Sequence, residues 1–287
     1  MPLPAITITP GQYLGGGEFP PFPIEQFTKR CLAQGDSWFS IGAFPPILTT
    51  NLLFGLKLAA STCIVNCAVP GKVLRHMTDT TTSNTFLQIL NGAVAMKFDG
   101  ILLSGGGNDV IDALQSTDAD PAKRLLRFQP EWGPPGSGGA RYVSEAGWSV
   151  FELHLEDVFS RFIAARDKGI NQNVPVILHT YDRMAPRDAG AGFGFGPWLS
   201  KALTAFGVPL IDWNAVSDEL FGRLHDLLAR LQQNHPQVHL VDTVNTLTPA
   251  GNNDQGATAD WQNEIHPTRA GYKRLSAIWA PVLDAVL

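Results

Sequence analysis

The chain contains 287 residues, of which 44% are hydrophobic and 16% charged, and its formal net charge is −5 at pH 7. A chain of this length buries about three quarters of its unfolded surface, so a large α/β domain with a substantial core is expected. The 21 basic and 26 acidic residues are scattered and form no basic run, which argues against a nucleic-acid partner.

No export or membrane segment is evident in the sequence. Residues 1–12 contain no basic segment followed by an apolar stretch, so we expect no Sec-type signal peptide and take cytoplasmic residence as the default. The most apolar long stretch, residues 41–60, is interrupted by Pro45 and Pro46 and carries Lys57, which argues against a transmembrane helix. Precursor processing or a non-classical export route stays open.

The three cysteines, Cys31, Cys63 and Cys67, are odd in number and share no metal-ligand spacing with the histidines. Free cysteines are usually buried, so we predict three buried thiols. The sequence contains no visible constellation of metal-ligating residues, and we expect neither a metal nor another cofactor.

Short apolar runs alternate with longer helical patterns along the chain, which is typical of βαβ units in a parallel sheet. The runs are continuously apolar, as expected for strands that are covered on both faces. We therefore predict an α/β fold, a three-layer α/β/α sandwich with a central parallel sheet. The predicted strands, in chain order, are residues 30–34, which form the weakest candidate, then 62–69, 99–104, 174–180 and 238–241.

Three helices are predicted to cover this sheet. Apolar side chains repeat at helical spacing between Phe151 and Phe162, and again between Val216 and Leu231. Both apolar stripes are predicted to pack against the sheet. The third helix is expected from about residue 269 to the C-terminus, with Pro267 at its first turn.

Two segments interrupt the pattern, residues 129–147 and 185–198, and both are rich in glycine and proline. We predict that they are irregular loops inserted into a single domain that comprises the whole chain. Long loops in a compact domain are usually functional or disordered. In the second loop, Phe193, Phe195 and Trp198 are candidates to line an acyl or aromatic pocket, and a mobile surface loop is the alternative.

Ser37 is the candidate nucleophile, because it directly follows the first predicted strand. A serine hydroxyl attacks a carbonyl only when a neighbouring base takes its proton and the side chain is accessible at the sheet edge. Gly35 is expected to permit the sharp backbone turn that raises Ser37 at this edge. Asp36 is expected to brace the turn through hydrogen bonds to the backbone.

Hydrogen-bond donors follow the next two predicted strands. Gly71 follows the second strand, where its backbone N–H can face the site, and Asn108 follows the third strand. Together with the Ser37 N–H, the Gly71 N–H and the Asn108 side chain are predicted to form an oxyanion hole. His266, in the block His266-Pro267-Thr268, is the predicted general base.

These blocks resemble the SGNH hydrolases, also called the GDSL esterase/lipase family, in the right order and over nearly the whole chain. The family blocks correspond to Gly35-Asp36-Ser37, to Gly71, to residues 106–109 and to His266. The resemblance implies a flavodoxin-like α/β/α sandwich. Family members are esterases, lipases, lysophospholipases, thioesterases and carbohydrate deacetylases, so the resemblance implies an ester hydrolase without naming the ester.

The last block departs from the family pattern, which has Asp three residues before the histidine, where this chain has Asn263. A carboxylate would stabilise the charged imidazole, whereas an amide can only orient it through its carbonyl oxygen. Asp260, Glu264 or Asp182 are alternative acids, and a Ser37–His266 dyad is a further possibility. For Glu264, the preferred interpretation is that it is solvated or caps the following helix.

The leading hypothesis is a serine ester hydrolase with a small-molecule or lipid ester substrate, a Ser37 acyl-enzyme and His266 as base. A carbohydrate O-deacetylase with the same fold is the first alternative. A non-catalytic binding protein is the second, because the family aspartate is missing at Asn263. His179, at the end of the fourth predicted strand, is expected to support the site without contacting substrate.

Overall fold

The computed structural model describes residues 1–16, 20–40, 50–79, 84–192 and 194–287. Its centre is a six-stranded sheet in which every neighbouring pair of strands is parallel. A separate antiparallel pair joins β1 to β4. The strands, in chain order, are β1 (Leu3–Pro4), β2 (Ile6–Ile8), β3 (Lys29–Gly35), β4 (Lys57–Leu58), β5 (Thr62–Asn66), β6 (Gly100–Ser104), β7 (Val176–His179) and β8 (Val238–Val241).

The order of strands across the sheet is β2-β5-β3-β6-β7-β8. Without the edge strand β2, this is the 2-1-3-4-5 order of flavodoxin-like sheets. The direction in which successive strands are added to the sheet reverses between β3 and β6. Ligands of such sheets bind at the carboxyl ends of the strands at this point. The predicted nucleophile follows β3 and the predicted amide follows β6, so the topology brings both to this position.

All five predicted strands are present, but the edge strand β2 was missed. Its sequence, Ile6-Thr7-Ile8, is only three residues long, and only Ile8 is buried. Strands β5 and β7 end earlier than predicted, at Asn66 and His179. Beyond Asn66 the regular strand ends, and the Ala68 N–H donates to the Asn66 side-chain oxygen at 3.1 Å.

Helices cover the sheet, as predicted, and their apolar faces join one hydrophobic core that extends from Ile8 to Leu283. The three cysteines are buried free thiols, as predicted. Among the helices of the described ranges, none combines the length and the hydropathy that crossing a membrane requires. The helices are α1 (Pro10–Leu14), α2 (Thr85–Asn91), α3 (Gly107–Leu114), α4 (Glu145–Arg166), α5 (Leu199–Ala205), α6 (Trp213–Asn234) and α7 (Arg269–Val286).

Two helix starts differ from the predictions. Helix α7 is capped by Thr268, whose side chain accepts from the Gly271 N–H, so Pro267 lies before the cap and not in the first turn. Helix α4 begins at Glu145, inside the segment predicted to be irregular. Gly147 permits this start, because a β-carbon there would lie 1.8 Å from the Arg124 carbonyl oxygen.

The rest of the two predicted loops is mostly irregular. The first contains short 3-10 turns at Gln129–Glu131 and Gly138–Tyr142. The described part of the second contains one isolated bridge, between Gly192 and Phe195. Phe193 lies outside the described residues, and Phe195 is exposed.

Candidate active site

The nucleophile turn, residues 36–40, follows β3 directly at the carboxyl edge of the sheet. The buried Asp36 carboxylate accepts from the Trp38 N–H at 2.9 Å, and the Asp36 carbonyl accepts from the Ser40 hydroxyl at 2.8 Å. The predicted bracing role of Asp36 is therefore confirmed. Burial raises the pKa of the Asp36 carboxyl.

The expected role of Gly35 was wrong. Gly35 is the last residue of β3 and is absent from the glycines with positive φ, so it does not form the turn. It lies opposite Ser104 on β6, and a β-carbon at Gly35 would lie 2.8 Å from the Ser104 β-carbon. Glycine is required here because the two strands approach closely at the site.

Ser37 and His266 form a hydrogen-bonded pair, although 229 positions separate them in sequence. The Ser37 Oγ lies 2.8 Å from the His266 Nε2. The other ring nitrogen, Nδ1, lies 3.1 Å from the Asn263 Oδ1. Since an amide oxygen only accepts hydrogen bonds, the proton is on Nδ1 and Nε2 is free to accept the Ser37 proton.

The orientation of the Asn263 amide follows from its donors. Its Oδ1 also accepts from the backbone N–H groups of Ile265 and His266, at 3.1 and 2.9 Å. A flipped amide would place its NH₂ group against these two backbone N–H groups, which excludes that orientation. Asn263 therefore holds His266 in the tautomer that leaves Nε2 unprotonated, but it supplies no negative charge. Burial, with no carboxylate to oppose it, lowers the pKa of His266 to about 4.

Neither alternative aspartate contacts His266. Asp260 forms an ion pair with Arg274 and accepts from the Thr248 N–H at 2.8 Å. Asp182 accepts from the N–H groups of Arg183, Asn245 and Leu247, so it organises a turn beyond β7. The geometry assigns Asn263, and not either aspartate, as the partner of the imidazole.

The expectation for Glu264 was also wrong, because its side chain is only 1% exposed and does not cap the following helix. It accepts from the backbone N–H groups of Trp198, Leu199 and Ser200, at 2.5, 2.8 and 2.7 Å, at the start of helix α5. A fourth N–H, from Arg187, donates at 3.1 Å. These partners lie 64 or more positions away in sequence, so no local pattern could reveal them.

Glu264 connects the glycine-rich loop to the base. The bond from the Trp198 N–H to Glu264 holds the end of this loop next to His266. There the Trp198 ring lies edge-on to the His266 imidazole, with ring centroids 5.5 Å apart. The structure thus places Trp198, one of the predicted loop aromatics, against the site.

We predict that Glu264→Gln destabilises the protein. A glutamine offers one acceptor oxygen where the carboxylate offers two, so buried N–H groups lose their partner, and the free energy of unfolding is expected to fall by roughly 2 to 4 kcal/mol. Urea denaturation of the variant measures this value. Glu25→Gln, at an exposed glutamate, is the matched control, and equal losses in the two variants would contradict the assignment.

Trp38 is a site residue whose role the sequence did not reveal. It is buried next to the nucleophile, and its indole Nε1 donates to the Ile265 carbonyl at 3.1 Å. This bond joins the nucleophile turn to the loop that carries His266. Because Trp38 directly follows Ser37 and Ile265 directly precedes His266, this bond helps to fix the distance between Ser37 and His266.

The predicted oxyanion donors belong to one hydrogen-bonded group. The Asn108 Nδ2 donates to the Lys72 carbonyl at 3.3 Å, and the Val69 N–H donates to the Gly35 carbonyl at 2.9 Å. Gly71 lies in the turn between these bonds and has φ +73°, a value that favours glycine. Within the described chain, the N–H groups of Ser37 and Gly71 have no acceptor, so both are available to a ligand oxygen.

Asp109 fixes this turn from the other side. Its buried carboxylate accepts from the Leu74 N–H, with its two oxygens at 3.2 and 3.0 Å. Burial raises the pKa of the Asp109 carboxyl to about 6. The bond attaches the segment that follows Gly71 to the first turn of helix α3, beside Asn108.

A second group of the same residue types lies beneath the nucleophile turn. The Ser104 Oγ lies 2.7 Å from the Asp36 carboxylate and 2.9 Å from the His179 Nε2. Its composition resembles a catalytic triad, but the serine lies between the other two, and Ser104 and His179 are 0% exposed. Because no substrate can reach it, this group supports the turn, which agrees with the supporting role expected for His179.

Three solved structures resemble the chain over nearly its whole length. An extracellular lipase from Streptomyces rimosus is 16% identical, with a TM-score of 0.50, and the match covers 91% of this chain and 100% of the lipase. An acetylxylan esterase from Geobacillus stearothermophilus is 14% identical, with a TM-score of 0.44 and coverage of 88% and 92%. A GDSL-like lipase from Bacteroides thetaiotaomicron is 12% identical, with a TM-score of 0.43 and coverage of 92% and 92%.

The chain has the SGNH hydrolase fold, as its sequence blocks predicted. At these identities the likeness establishes the fold alone. No protein-family model matches the chain, and no curated protein matches it by sequence. The chemistry must therefore be argued from the site itself.

Proposed function

We propose that the protein is a serine ester hydrolase in which Ser37 is the nucleophile and His266 the general base. The observation that carries this proposal is the 2.8 Å contact between the Ser37 Oγ and a His266 Nε2 that Asn263 keeps unprotonated. The pair lies at the sheet edge where ligands of this fold class bind.

In the proposed reaction, the His266 Nε2 takes the hydroxyl proton as the Ser37 Oγ attacks the ester carbonyl carbon. The negative charge that develops on the carbonyl oxygen is stabilised by the N–H groups of Ser37 and Gly71 and by the Asn108 amide. His266 then returns the proton to the leaving alcohol, and an acyl-enzyme forms. Water, deprotonated by the same nitrogen, attacks the acyl carbonyl and releases the acid.

Hydrolysis of p-nitrophenyl esters from acetate to decanoate tests the proposal. We expect wild-type protein to be active, Ser37→Ala and His266→Ala to be inactive, and Asn263→Ala to be impaired because His266 loses its orienting partner. A preference for acetate would favour the deacetylase alternative, and a preference for longer chains an esterase or lipase. Folded wild-type protein that hydrolyses none of these esters would contradict the proposal and favour a binding protein.

The missing carboxylate predicts an unusual pH dependence. His266 acts as a base only when neutral, so kcat/KM rises as the pH rises through its pKa and is constant above it. With this pKa lowered to about 4 by burial, the wild-type enzyme is expected to keep its activity in mildly acidic solution. The midpoint of the acid limb is expected near this value, in pH–rate profiles of kcat/KM.

Asn263→Asp provides the matched variant for this prediction. A carboxylate 3.1 Å from Nδ1 favours the imidazolium, so the midpoint is expected to rise by roughly 1 to 3 pH units. The plateau rate is expected to rise by about tenfold or more, because the carboxylate also stabilises the imidazolium that forms in the transition state. A stabilisation by one pKa unit corresponds to about a factor of ten in an equilibrium constant. Superimposable profiles for the wild type and Asn263→Asp would show that this position does not act on the base.

A further inference from the structure

Four side chains beneath the nucleophile turn, Asp36, Ser104, His179 and Tyr181, form a buried network of hydrogen bonds. The Tyr181 hydroxyl lies 2.5 Å from one oxygen of the Asp36 carboxyl, and the Ser104 Oγ lies 2.7 Å from the other. The His179 Nε2 lies 2.9 Å from the same Ser104 Oγ, and its Nδ1 lies 2.6 Å from the Thr180 carbonyl oxygen. None of these contacts takes part in the reaction proposed above.

The buried network needs one proton more than its side chains ordinarily carry. It contains four contacts, and a hydrogen bond needs a proton between its two atoms. A tyrosine, a serine and a neutral imidazole supply one proton each, and an ionised carboxyl supplies none. With these protons alone, one contact would place two lone pairs against each other.

The place where the proton is missing follows from the acceptors. The Thr180 carbonyl only accepts, so the His179 Nδ1 carries the proton of a neutral imidazole and Nε2 carries none. The single proton of the Ser104 hydroxyl cannot then bond both this Nε2 and the Asp36 oxygen. Both contacts are made only if Nε2 or the carboxyl carries an additional proton.

The surroundings of Asp36 also favour an additional proton. Asp36 is 2% exposed, and no ion pair between described residues includes Asp36 or His179. The titratable groups that face Asp36 are Tyr181, Tyr272 of helix α7 and Asp109 of helix α3, and a negative charge on Asp36 raises the pKa of each. A buried charge without a partner is costly, and the additional proton leaves Asp36 and His179 together without net charge.

His179 is isolated from water in the same way. Its ring is enclosed by aromatic side chains with centroids 5.0 to 5.8 Å away: Trp38, Phe39, Tyr181 and Trp279. Of these four neighbours, only Tyr181 is titratable. Burial lowers the pKa of His179 to about 4 and raises that of Asp36, so burial favours the carboxyl as the position of the additional proton.

We propose that Asp36 and His179 share one additional proton through the Ser104 hydroxyl, and that this proton positions the nucleophile turn. Asp36 directly precedes Ser37, and its carboxyl also accepts from the N–H of Trp38, which directly follows Ser37. The buried network thus attaches both neighbours of the nucleophile to strands β6 and β7. The positioning role rests on the proposed esterase function, whereas the additional proton does not.

Nuclear magnetic resonance tests the proton count without any turnover. Protein with ¹³C in its aspartate carboxyls and ¹⁵N in its histidine rings is measured at about pH 8, where free aspartate and histidine have lost their protons. The variants Asp36→Asn and His179→Asn identify the two signals. We expect the wild type to show a protonated Asp36 or a doubly protonated His179. An ionised Asp36 together with a singly protonated His179 would overturn the proposal.

Ser104→Ala removes the atom that joins the two groups. The remaining contacts need only the protons of a tyrosine and a neutral imidazole, so we expect an ionised Asp36 and a singly protonated His179 in this variant. Ser160→Ala, at an exposed serine of helix α4, is the matched control and should show the wild-type signals. An additional proton that persists in Ser104→Ala would overturn the sharing through Ser104.

Folding is expected to take up the additional proton near pH 8. The unfolded chain has an ionised Asp36 and a largely neutral His179 at this pH, whereas the folded buried network holds the proton. Because the folded state binds more protons, the stability that this proton contributes is lost as the pH rises. Between about pH 7.5 and 8.5, the ratio of folded to unfolded protein in urea should fall about tenfold more per pH unit in the wild type than in Ser104→Ala. Equal pH dependences would contradict the proposal.

Steady-state kinetics test the positioning role. We expect Ser104→Ala to lower kcat by about tenfold or more with little change in KM, because a displaced nucleophile slows the reaction without weakening substrate binding. An unchanged kcat would overturn the positioning role. The resonance measurement decides the proton count even if the wild-type protein hydrolyses no ester, so the two proposals fail separately.

Discussion

Replacing Ser37 by alanine is expected to lower kcat for a hydrolysed ester by roughly 10⁴- to 10⁶-fold, and replacing His266 by alanine should cost about as much. Each change removes one member of the 2.8 Å contact, without which neither residue can act. The double variant should therefore be no less active than either single variant, because residues that act as a unit have non-additive effects.

Steady-state kinetics of the three variants measure this coupling. Ser160→Ala, at an exposed serine of helix α4, is the matched control and should keep wild-type kcat. The assignment fails if Ser37→Ala retains more than a small fraction of wild-type activity. It also fails if the loss in the double variant equals the product of the two single-variant losses.

Replacing Asn108 by alanine is expected to lower kcat by about 10²- to 10³-fold with little change in KM, the effect of losing one oxyanion donor. The size of the effect follows from the site being shielded from water, since Ser37 and His266 are each only 7% exposed. Asn108→Asp keeps the shape of the side chain but places a carboxylate opposite the developing oxyanion, so its loss should be at least as large.

Asn214→Ala, at an exposed asparagine of helix α6, controls for nonspecific effects of such a change and should be as active as wild type. A fall in kcat/KM that arises only from a higher KM in Asn108→Ala would contradict the oxyanion role. It would show instead that Asn108 binds the substrate and its transition state equally.

Much of the fold could be predicted because its strands are continuous apolar runs and its helices carry apolar stripes. Strand β8, Val238–Val241, has the predicted bounds. The edge strand β2 was missed because it is short and mostly exposed, so it lacks the apolar signal of the central strands. Local capping explains the two shifted helix starts, since Ser144 and Thr268 supply the N-cap oxygens of α4 and α7.

The residues proposed as nucleophile, base and oxyanion amide could be located in the sequence because each follows a strand or forms a recognisable block. Their supports could not. In the sequence, Glu264 cannot be distinguished from an ordinary surface charge next to His266. Only the fold shows that it is buried against the start of α5. Gly35 suggests a turn, and its actual function, close approach to Ser104, depends on a partner strand that the sequence does not identify.

Asn263 illustrates what a family pattern can and cannot supply. The pattern locates the position three residues before the histidine, but a different residue occupies it here. Only the geometry shows that the amide oxygen accepts from the His266 Nδ1 and from two backbone N–H groups. The position thus orients the base as in a triad while leaving the base without a neighbouring negative charge.

The central claim is that Ser37 is a nucleophile activated by His266, and covalent labelling with a fluorophosphonate, followed by peptide mass mapping, tests it most directly. We expect one adduct on wild-type protein, on the peptide that contains Ser37, with slow labelling of His266→Ala and none of Ser37→Ala. Folded wild-type protein that stays unlabelled, or that carries its adduct on Ser104, would contradict the account.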